Sequence, residues 1–297
     1  AANNGHDGCV KILVDAGADL NVQNKDGYTA LMEAAMNGHD GCVKILVDVG
    51  LDFNVQNKAG TTALIFAANN GHDGCVKILV DAGADLNVQD KDEYTALMRA
   101  ASRGRDGCVK ILVDAGADLN IHKDDGGTAL MWAASGGRDG YVKMLVDAGA
   151  DLNVRDEVGR TALILAASNE RDGCVKMLVD AGADLNVQEK DGYTALILAA
   201  SNERDGCLKM LVDAGADLNV QDKDGHTALI SRAASKGDDG RVKMLADAGA
   251  DLSVQNNAGN TAVMEAANNG HDGCVKILVD AGADLNVQNK DGYTALM

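Results

Sequence analysis

Asp26-Gly27-Tyr28-Thr29-Ala30-Leu31-Met32-Glu33-Ala34-Ala35-Met36-Asn37-Gly38 is the stretch on which the fold turns. Thr29 suits an N-cap, because its hydroxyl accepts a hydrogen bond from a first-turn amide that has no helical partner. Leu31, Ala34 and Ala35 fall at i, i+3 and i+4, the spacing of one apolar helix face. Gly38 is a natural stop, since glycine enters the left-handed conformation that ends many helices. The stretch predicts a short first helix. His39-Asp40-Gly41-Cys42-Val43-Lys44-Ile45-Leu46-Val47-Asp48-Val49-Gly50 follows. Asp40 places negative charge at the positive end of a helix dipole. Cys42, Val43, Leu46 and Val47 make the apolar face of this second helix, and Gly50 ends it. Leu51 to Gly60 alternates weakly and is rich in turn formers, which predicts a loop or hairpin.

This pattern recurs. Thr29, Thr62, Thr95, Thr128, Thr161, Thr194, Thr227, Thr261 and Thr294 stand 33 residues apart, except for 34 between Thr227 and Thr261. A period of this length marks a solenoid, in which each unit buries its apolar face against its neighbours. Helix, turn, helix and projecting loop in 33 residues resembles the ankyrin repeat. Gly5-His6, the run Val10-Lys11-Ile12-Leu13-Val14 and Gly17-Ala18-Asp19-Leu20-Asn21 match the family pattern in place, and the resemblance covers the whole chain. It implies an all-α helix-turn-helix solenoid with short loop or β-hairpin connections. Residues 1–297 are expected to form one continuous array of about nine units, cut within a repeat at both ends.

There are departures. The family's Thr-Pro-Leu-His becomes Thr-Ala-Leu-Met or Thr-Ala-Leu-Ile, as in Thr161-Ala162-Leu163-Ile164, and the chain has no proline. The entropic stabilisation of proline in the first helical turn is therefore forgone. Glu170 and Glu203 replace helix-ending glycines, and Glu93 replaces a loop glycine. A left-handed backbone at a non-glycine residue costs roughly 1–2 kcal/mol; Asn169 or Asn202 offers an alternative seat for that conformation. Ser231-Arg232 carries one residue too many for a first helix, which predicts a π-bulge or a local kink.

Composition sets limits on function. Aromatics make up 3%, so the core must be built from Ala, Leu, Val, Ile and Met. No apolar stretch is long enough for a membrane-spanning helix, and no basic-then-apolar leader opens the chain. Forty-five acidic against 27 basic residues give a net charge of −18. That field has the wrong sign for neutralising phosphates, so nucleic acid and anionic membranes are not expected partners. Cys9, Cys42, Cys75, Cys108, Cys174, Cys207 and Cys274 share one column of the repeat, with Tyr141 and Arg241 filling it elsewhere. Stacked helices sit about 8–10 Å apart, whereas a disulfide needs Cα atoms within about 7 Å. The cysteines are expected to be unpaired and buried, which fits a reducing compartment such as the cytoplasm.

One active site needs residues that break the repeat, and no such set stands out; no catalytic residue, cofactor or metal is assigned. His6, His39, His72 and His271 lie in one column, too far apart by helix spacing to share zinc, and each is expected to bond its own loop. Asp19 to Gly27 has its oxygen ligands out of register for a calcium loop. Phosphate-cradling and nucleophile-elbow motifs are absent from the sequence. Lys11 to Lys276 recur in the second helices, each with an aspartate four residues later, which predicts a solvated outer face of weak i, i+4 pairs.

In ankyrin-like proteins, partners contact the concave side formed by first helices and loop tips. Carried over residue by residue, the helix column here is Glu33, Phe66, Arg99, Trp132, Leu165, Leu198, Arg232 and Glu265, bordered by loop-tip residues Tyr28, Tyr94, Arg160, Tyr193 and His226. The core columns stay constant between repeats, while this one varies and holds the single tryptophan. Trp and Arg are favoured interface anchors. Phe66 to Leu198 would form a patch about 40 Å long at the helix spacing. The competing expectation is that these residues pack against the neighbouring first helix.

Residues 1–32 and 266–297 are identical at all 32 positions, an offset of eight repeats plus the inserted residue. The chain starts at the tail of one first helix and stops one turn into another, without a polar capping repeat. This suggests a slice of a longer array, and open head-to-tail stacking gives filaments. The sequence therefore supports a non-enzymatic protein-interaction scaffold first. The alternative is a structural protein whose function is a long array or a self-associated fibre.

Overall fold

In a computed structural model the chain is described over residues 1–202, 205–234 and 237–297, and for residues 232–234 by the backbone alone. Glu203 lies outside the described residues. The chain forms two compact units, one of residues 1–133 with 140–154 and one of 134–139 with 155–297. The described residues are helical and carry no strand.

In the first unit, Ala30–Met36, Ala63–Asn70 and Ala96–Arg103 are successive first helices, and Asp7–Asp15, Asp40–Val47, Asp73–Asp81 and Asp106–Asp114 are second helices. First helices pack on first helices and second on second. The predicted caps form: the hydroxyls of Thr29 and Thr62 accept from the Met32 and Ile65 amides at 3.2 and 3.3 Å. The predicted faces are buried. Leu64, Ala67 and Ala68 meet Cys75, Val76 and Leu79 with almost no exposure. Each fully buried leucine is worth about 1.5–3 kcal/mol. The alanines let the two helices of a unit approach closely, which is why a chain so poor in aromatics still closes its core.

The second unit repeats this plan with Ala162–Ser168, Ala195–Ser201 and Ala262–Asn268 against Asp172–Asp180, Asp205–Asp213, Asp239–Asp247 and Asp272–Asp280. Between them the inserted residue does what its position predicts. Leu229–Ala234 is a π-helical turn, kinked at Ser231, where ψ of −145° leaves the helical region. Glu170 adopts φ 56° and Glu93 φ 65°, both left-handed. Asn169 does not take over that conformation, nor does Asn202, whose backbone is extended.

Loops close as tight turns rather than as strand hairpins. The Asn57 side chain accepts from the amides of Ala59 and Thr61, both at 2.9 Å, and the Asn57 amide donates to the Thr61 carbonyl. Gly27, at φ 85°, is needed because a Cβ there would lie 2.9 Å from the Lys58 amide nitrogen of the next loop. That close approach lets the Lys58 amide donate to the Asp26 carbonyl at 3.1 Å. The outer-face pairs also form, for example Lys110 with Asp114 at 2.9 Å and Lys176 with Asp180 at 2.9 Å, with every partner well exposed. Such pairs add little stability. No helix among the described residues is long and apolar enough to cross a membrane.

Candidate functional site

Three hydrogen-bond ladders join repeat to repeat and set the spacing of everything the first helices present. The first uses the cysteine column. Cys42 donates its thiol hydrogen to Asp7, Cys75 to Asp40 and Cys108 to Asp73 at 2.9, 2.9 and 3.0 Å. Cys174, Cys207 and Cys274 do the same in the second unit. The glycine before each cysteine makes room: a Cβ on Gly41, Gly74 or Gly107 would fall within about 2 Å of the aspartate oxygen. Where the cysteine is replaced, the donor is kept. Tyr141 donates to Asp106, and Arg241 to Asp205 at 2.9 Å. The Asp-Gly-Cys triplet is therefore an inter-repeat clasp. Burial, and then the bonded carboxylate, push the thiols up, to about 11 for Cys42 and about 12 for Cys174, Cys207 and Cys274. Protonated thiols of this kind are neither nucleophiles nor metal ligands. The cysteines are free, and all are buried except Cys9.

The second ladder corrects the expectation that each histidine bonds its own loop. His39 and His72 reach back across the interface to the carbonyls of Asn3 and Met36, both at 3.1 Å. The reason is the left-handed glycine of the preceding repeat. A Cβ on Gly38 would sit 2.5 Å from the His72 ring nitrogen, so only glycine leaves space for the imidazole. Arg105 and Arg171 fill the same role, bonding the carbonyls of Asn69 and Ser135. The third ladder runs through the loops. The Gln23 amide group donates to Gly27 of its own loop and to Gln56 of the next, at 3.0 and 3.1 Å. Gln56, Gln188, Gln221 and Gln255 repeat the pattern.

On this frame the varying column is half-buried at Glu33, Phe66, Arg99, Trp132, Leu165, Leu198 and Glu265; the Arg232 side chain lies outside the described residues. The structure brings column and loop tips together across repeats. In the first unit Tyr28 stacks on Phe66 with centroids 5.3 Å apart. Tyr94 meets Trp132 at 6.1 Å, and the Arg99 guanidinium lies 4.0 Å over the Tyr94 ring. Lys123 covers the same ring at 4.5 Å. Arg99 also bonds Asp90 at 2.6 Å and Asp92 at 3.0 Å. Burial works against the Arg99 charge, but these two carboxylates outweigh it and hold the guanidinium above its ordinary value. The Trp132 indole nitrogen is buried without a hydrogen-bond partner, one of two such side-chain atoms among the described residues. Column residues thus pack partly against the neighbouring repeat while keeping an outward edge.

In the second unit Arg160 is exposed and bonds Asp156 at 2.8 Å. Glu265 accepts from Asn256 and Asn260 at 2.9 and 3.0 Å. Tyr193, Leu198, His226 and Glu265 line one open groove of about 520 Å³ together with Asp222 and Asp224. Asp222, Asp224 and His226 place three ligand-type atoms within 4.8 Å of one another, a cluster the sequence reading did not single out. It arises because His226 stands at a loop tip where Tyr28, Tyr94 and Tyr193 stand in other repeats. Asp222 Oδ1 is already held by the amides of Asp224 and His226.

The clasp residues are what sequence reasoning missed. Their signal was available: the cysteine column accepts only donors, and aspartate and glycine precede it each time.

A family model for ankyrin repeats, in sets of three copies, matches residues 1–90, 75–156, 148–222 and 230–297. Among solved structures, the human ASB11 ankyrin repeat domain is similar at 27% identity and a TM-score of 0.62, covering 72% of this chain and 95% of that one. No curated protein sequence matches.

Proposed function

The chain belongs to the ankyrin-repeat family, whose repeats mediate protein–protein interaction, and from that premise we propose that it is a non-enzymatic scaffold binding a protein partner on its first-helix and loop-tip face. One observation carries the reading. Along a frame tied by three ladders, the first-helix column and the loop tips beside it change their chemistry from repeat to repeat, and the described side chains of the column stay half-buried with an outward edge. Packing alone does not require Glu33, Phe66, Arg99, Trp132 and Leu198 at equivalent places, because the core behind them is the same Ala and Leu each time. Aromatic and arginine side chains fixed by neighbours are pre-ordered, so less entropy is lost when a partner covers them. The acidic surface directs this face towards protein and away from nucleic acid.

The test is a pull-down with three forms of the whole chain. Phe66→Ala with Trp132→Ala removes two anchors, and Lys77→Ala with Lys110→Ala alters the outer face. The reading expects captured proteins to be lost from the first variant and kept by the second. Equal capture by the first variant and the wild type would refute it.

A further inference from the structure

The net charge of this chain is unevenly placed. Aspartate in the columns of Asp7, Asp15 and Asp19, and lysine in that of Lys11, recur in all nine repeats, 27 acidic residues against nine basic. Their excess of 18 is the entire net charge of −18. In the first unit the members of these columns stand exposed on the second helices or just beyond them. The other charged residues of the first unit, on first helices, loop tips and connections, are seven acidic and seven basic. The first-helix side of this unit is therefore neutral within a strongly acidic chain. We infer that this face of the first unit receives an uncharged segment of the partner protein, held by two apolar side chains two repeats apart. The inference rests on the scaffold reading above and adds the partner's chemistry.

Two aromatic pairs mark the anchor points. Tyr28 with Phe66 and Tyr94 with Trp132 are the same pairing, a loop tip with the column residue of the next repeat. Phe66 and Trp132 stand two repeats apart in the sequence, roughly 16–20 Å at the spacing of stacked helices. All four rings are half-buried, so each packs partly in the chain and offers the rest of its apolar area to a partner. Between the pairs a cleft of about 190 Å³ opens against Ile65, Phe66 and Arg99. The charges among these rings are already closed within the chain. Arg99 holds Asp90 and Asp92 at 2.6 and 3.0 Å, and Lys123 holds Asp125 at 3.2 Å. Both cations also lie on the Tyr94 ring, at 4.0 and 4.5 Å. A charged side chain arriving here has to open one of these pairs or be covered without a counter-charge, and either is unfavourable. An uncharged segment meets neither penalty and gains the apolar area of the rings. A basic segment is drawn instead to the exposed aspartates of the outer face. Charge complementarity thus separates the two faces, with neutral matching neutral on the first helices.

The probe is a peptide library. Random dodecapeptides displayed on phage are selected on the whole chain. The most enriched are synthesised with fluorescein and titrated by anisotropy at about 0.05 and 0.5 M salt, which bracket weak and strong screening. The inference expects uncharged peptides with two apolar residues, binding within twofold at the two salt concentrations. Phe66→Ala with Trp132→Ala should weaken them at least tenfold. Phe66→Glu with Trp132→Glu should do the same and keep the fold, because glutamate already stands in this column at Glu33 and Glu265; a cooperative urea transition checks that. Glu33→Gln with Arg103→Gln, which removes two charges from the same side, should leave binding within twofold. Enrichment of basic peptides that weaken tenfold at the higher salt would overturn the inference. So would equal weakening by the charge variant and the anchor variants, uncharged peptides that bind the anchor variants as tightly as the wild type, or no enrichment over an unrelated bait. In the pull-down above, capture that depends on Phe66 and Trp132 but is lost at the higher salt would overturn this inference and leave the scaffold reading intact; capture indifferent to both residues would end both.

Discussion

Gly74→Ala is predicted to destabilise the protein, although alanine for glycine inside a helix ordinarily stabilises it by about 0.5–1 kcal/mol. Gly74 is the second residue of Asp73–Asp81, and a Cβ there would lie 2.0 Å from Asp40 Oδ2 and 2.5 Å from its Cγ. The carboxylate must swing away. Cys75 then loses its acceptor at 2.9 Å and, with no exposure to water, finds no replacement. A buried donor left unsatisfied costs about 1–3 kcal/mol, at the low end for a weakly donating thiol. Set against the helical gain, the net is at most about 0.5 kcal/mol of destabilisation, which puts Gly74→Ala about 1 kcal/mol below a helical Gly→Ala change that meets no clash. Gly140 is the matched control: it holds the same place in Asp139–Asp147, but a Cβ there meets nothing within 4 Å. Gly140→Ala should stabilise by about 0.5–1 kcal/mol. Urea titrations of both variants with the wild type, read as midpoint shifts at constant slope, make the comparison. If the two glycines respond alike, the clasp contributes nothing and the reasoning fails.

Other outcomes follow from the same geometry. Buried thiols hold their protons more tightly in the folded chain than in the unfolded one, so their contribution is full below the ordinary thiol value near 9 and is lost as pH rises through the folded values of about 11 to 12; equilibrium unfolding between pH 8 and 11 should show stability falling with pH, and less steeply in Cys174→Ala. A thiol reagent at pH 8 should modify Cys9 quickly and the other cysteines only on denaturation; rapid modification of several thiols in the native state would contradict the burial. His72→Arg should be tolerated, because Arg105 and Arg171 already bond the equivalent carbonyl, whereas His72→Ala should cost about 1 kcal/mol in chemical denaturation. Glu170→Gly should stabilise by about 1 kcal/mol by relieving the left-handed backbone, raising the melting temperature by a few degrees.

The repeat, the helices, their caps and their buried faces were legible because each rests on residues close together in the chain. Thr29 caps an amide three residues away, and the i, i+3, i+4 stripe of Leu31, Ala34 and Ala35 is local. The Ser231 kink was legible as a break in a fixed period. The ladders were not, because their partners lie 33 to 36 residues apart: nothing near Cys75 says that its acceptor is Asp40, and nothing near His72 says that its ring passes over Gly38 to the Met36 carbonyl. At Glu170 local reasoning left two seats open for the left-handed residue, and the surrounding packing chose the glutamate. The candidate face shows the same division. Its column could be listed from the period, but the pairing of Tyr28 with Phe66, or of Tyr94 with Trp132 and Arg99, depends on how far one loop reaches over the next repeat. The groove at His226 needed the folded loop to gather Asp222, Asp224 and Glu265.

The most direct test of the scaffold account is site-specific photo-crosslinking of the whole chain in a cell extract, with a photoreactive phenylalanine at position 66, 132 or 198 and, for comparison, at outer-face position 110. The account predicts discrete crosslinked partner bands from the three first-helix positions and none of those bands from position 110. The same bands from all four positions, or discrete bands from position 110 alone, would contradict it.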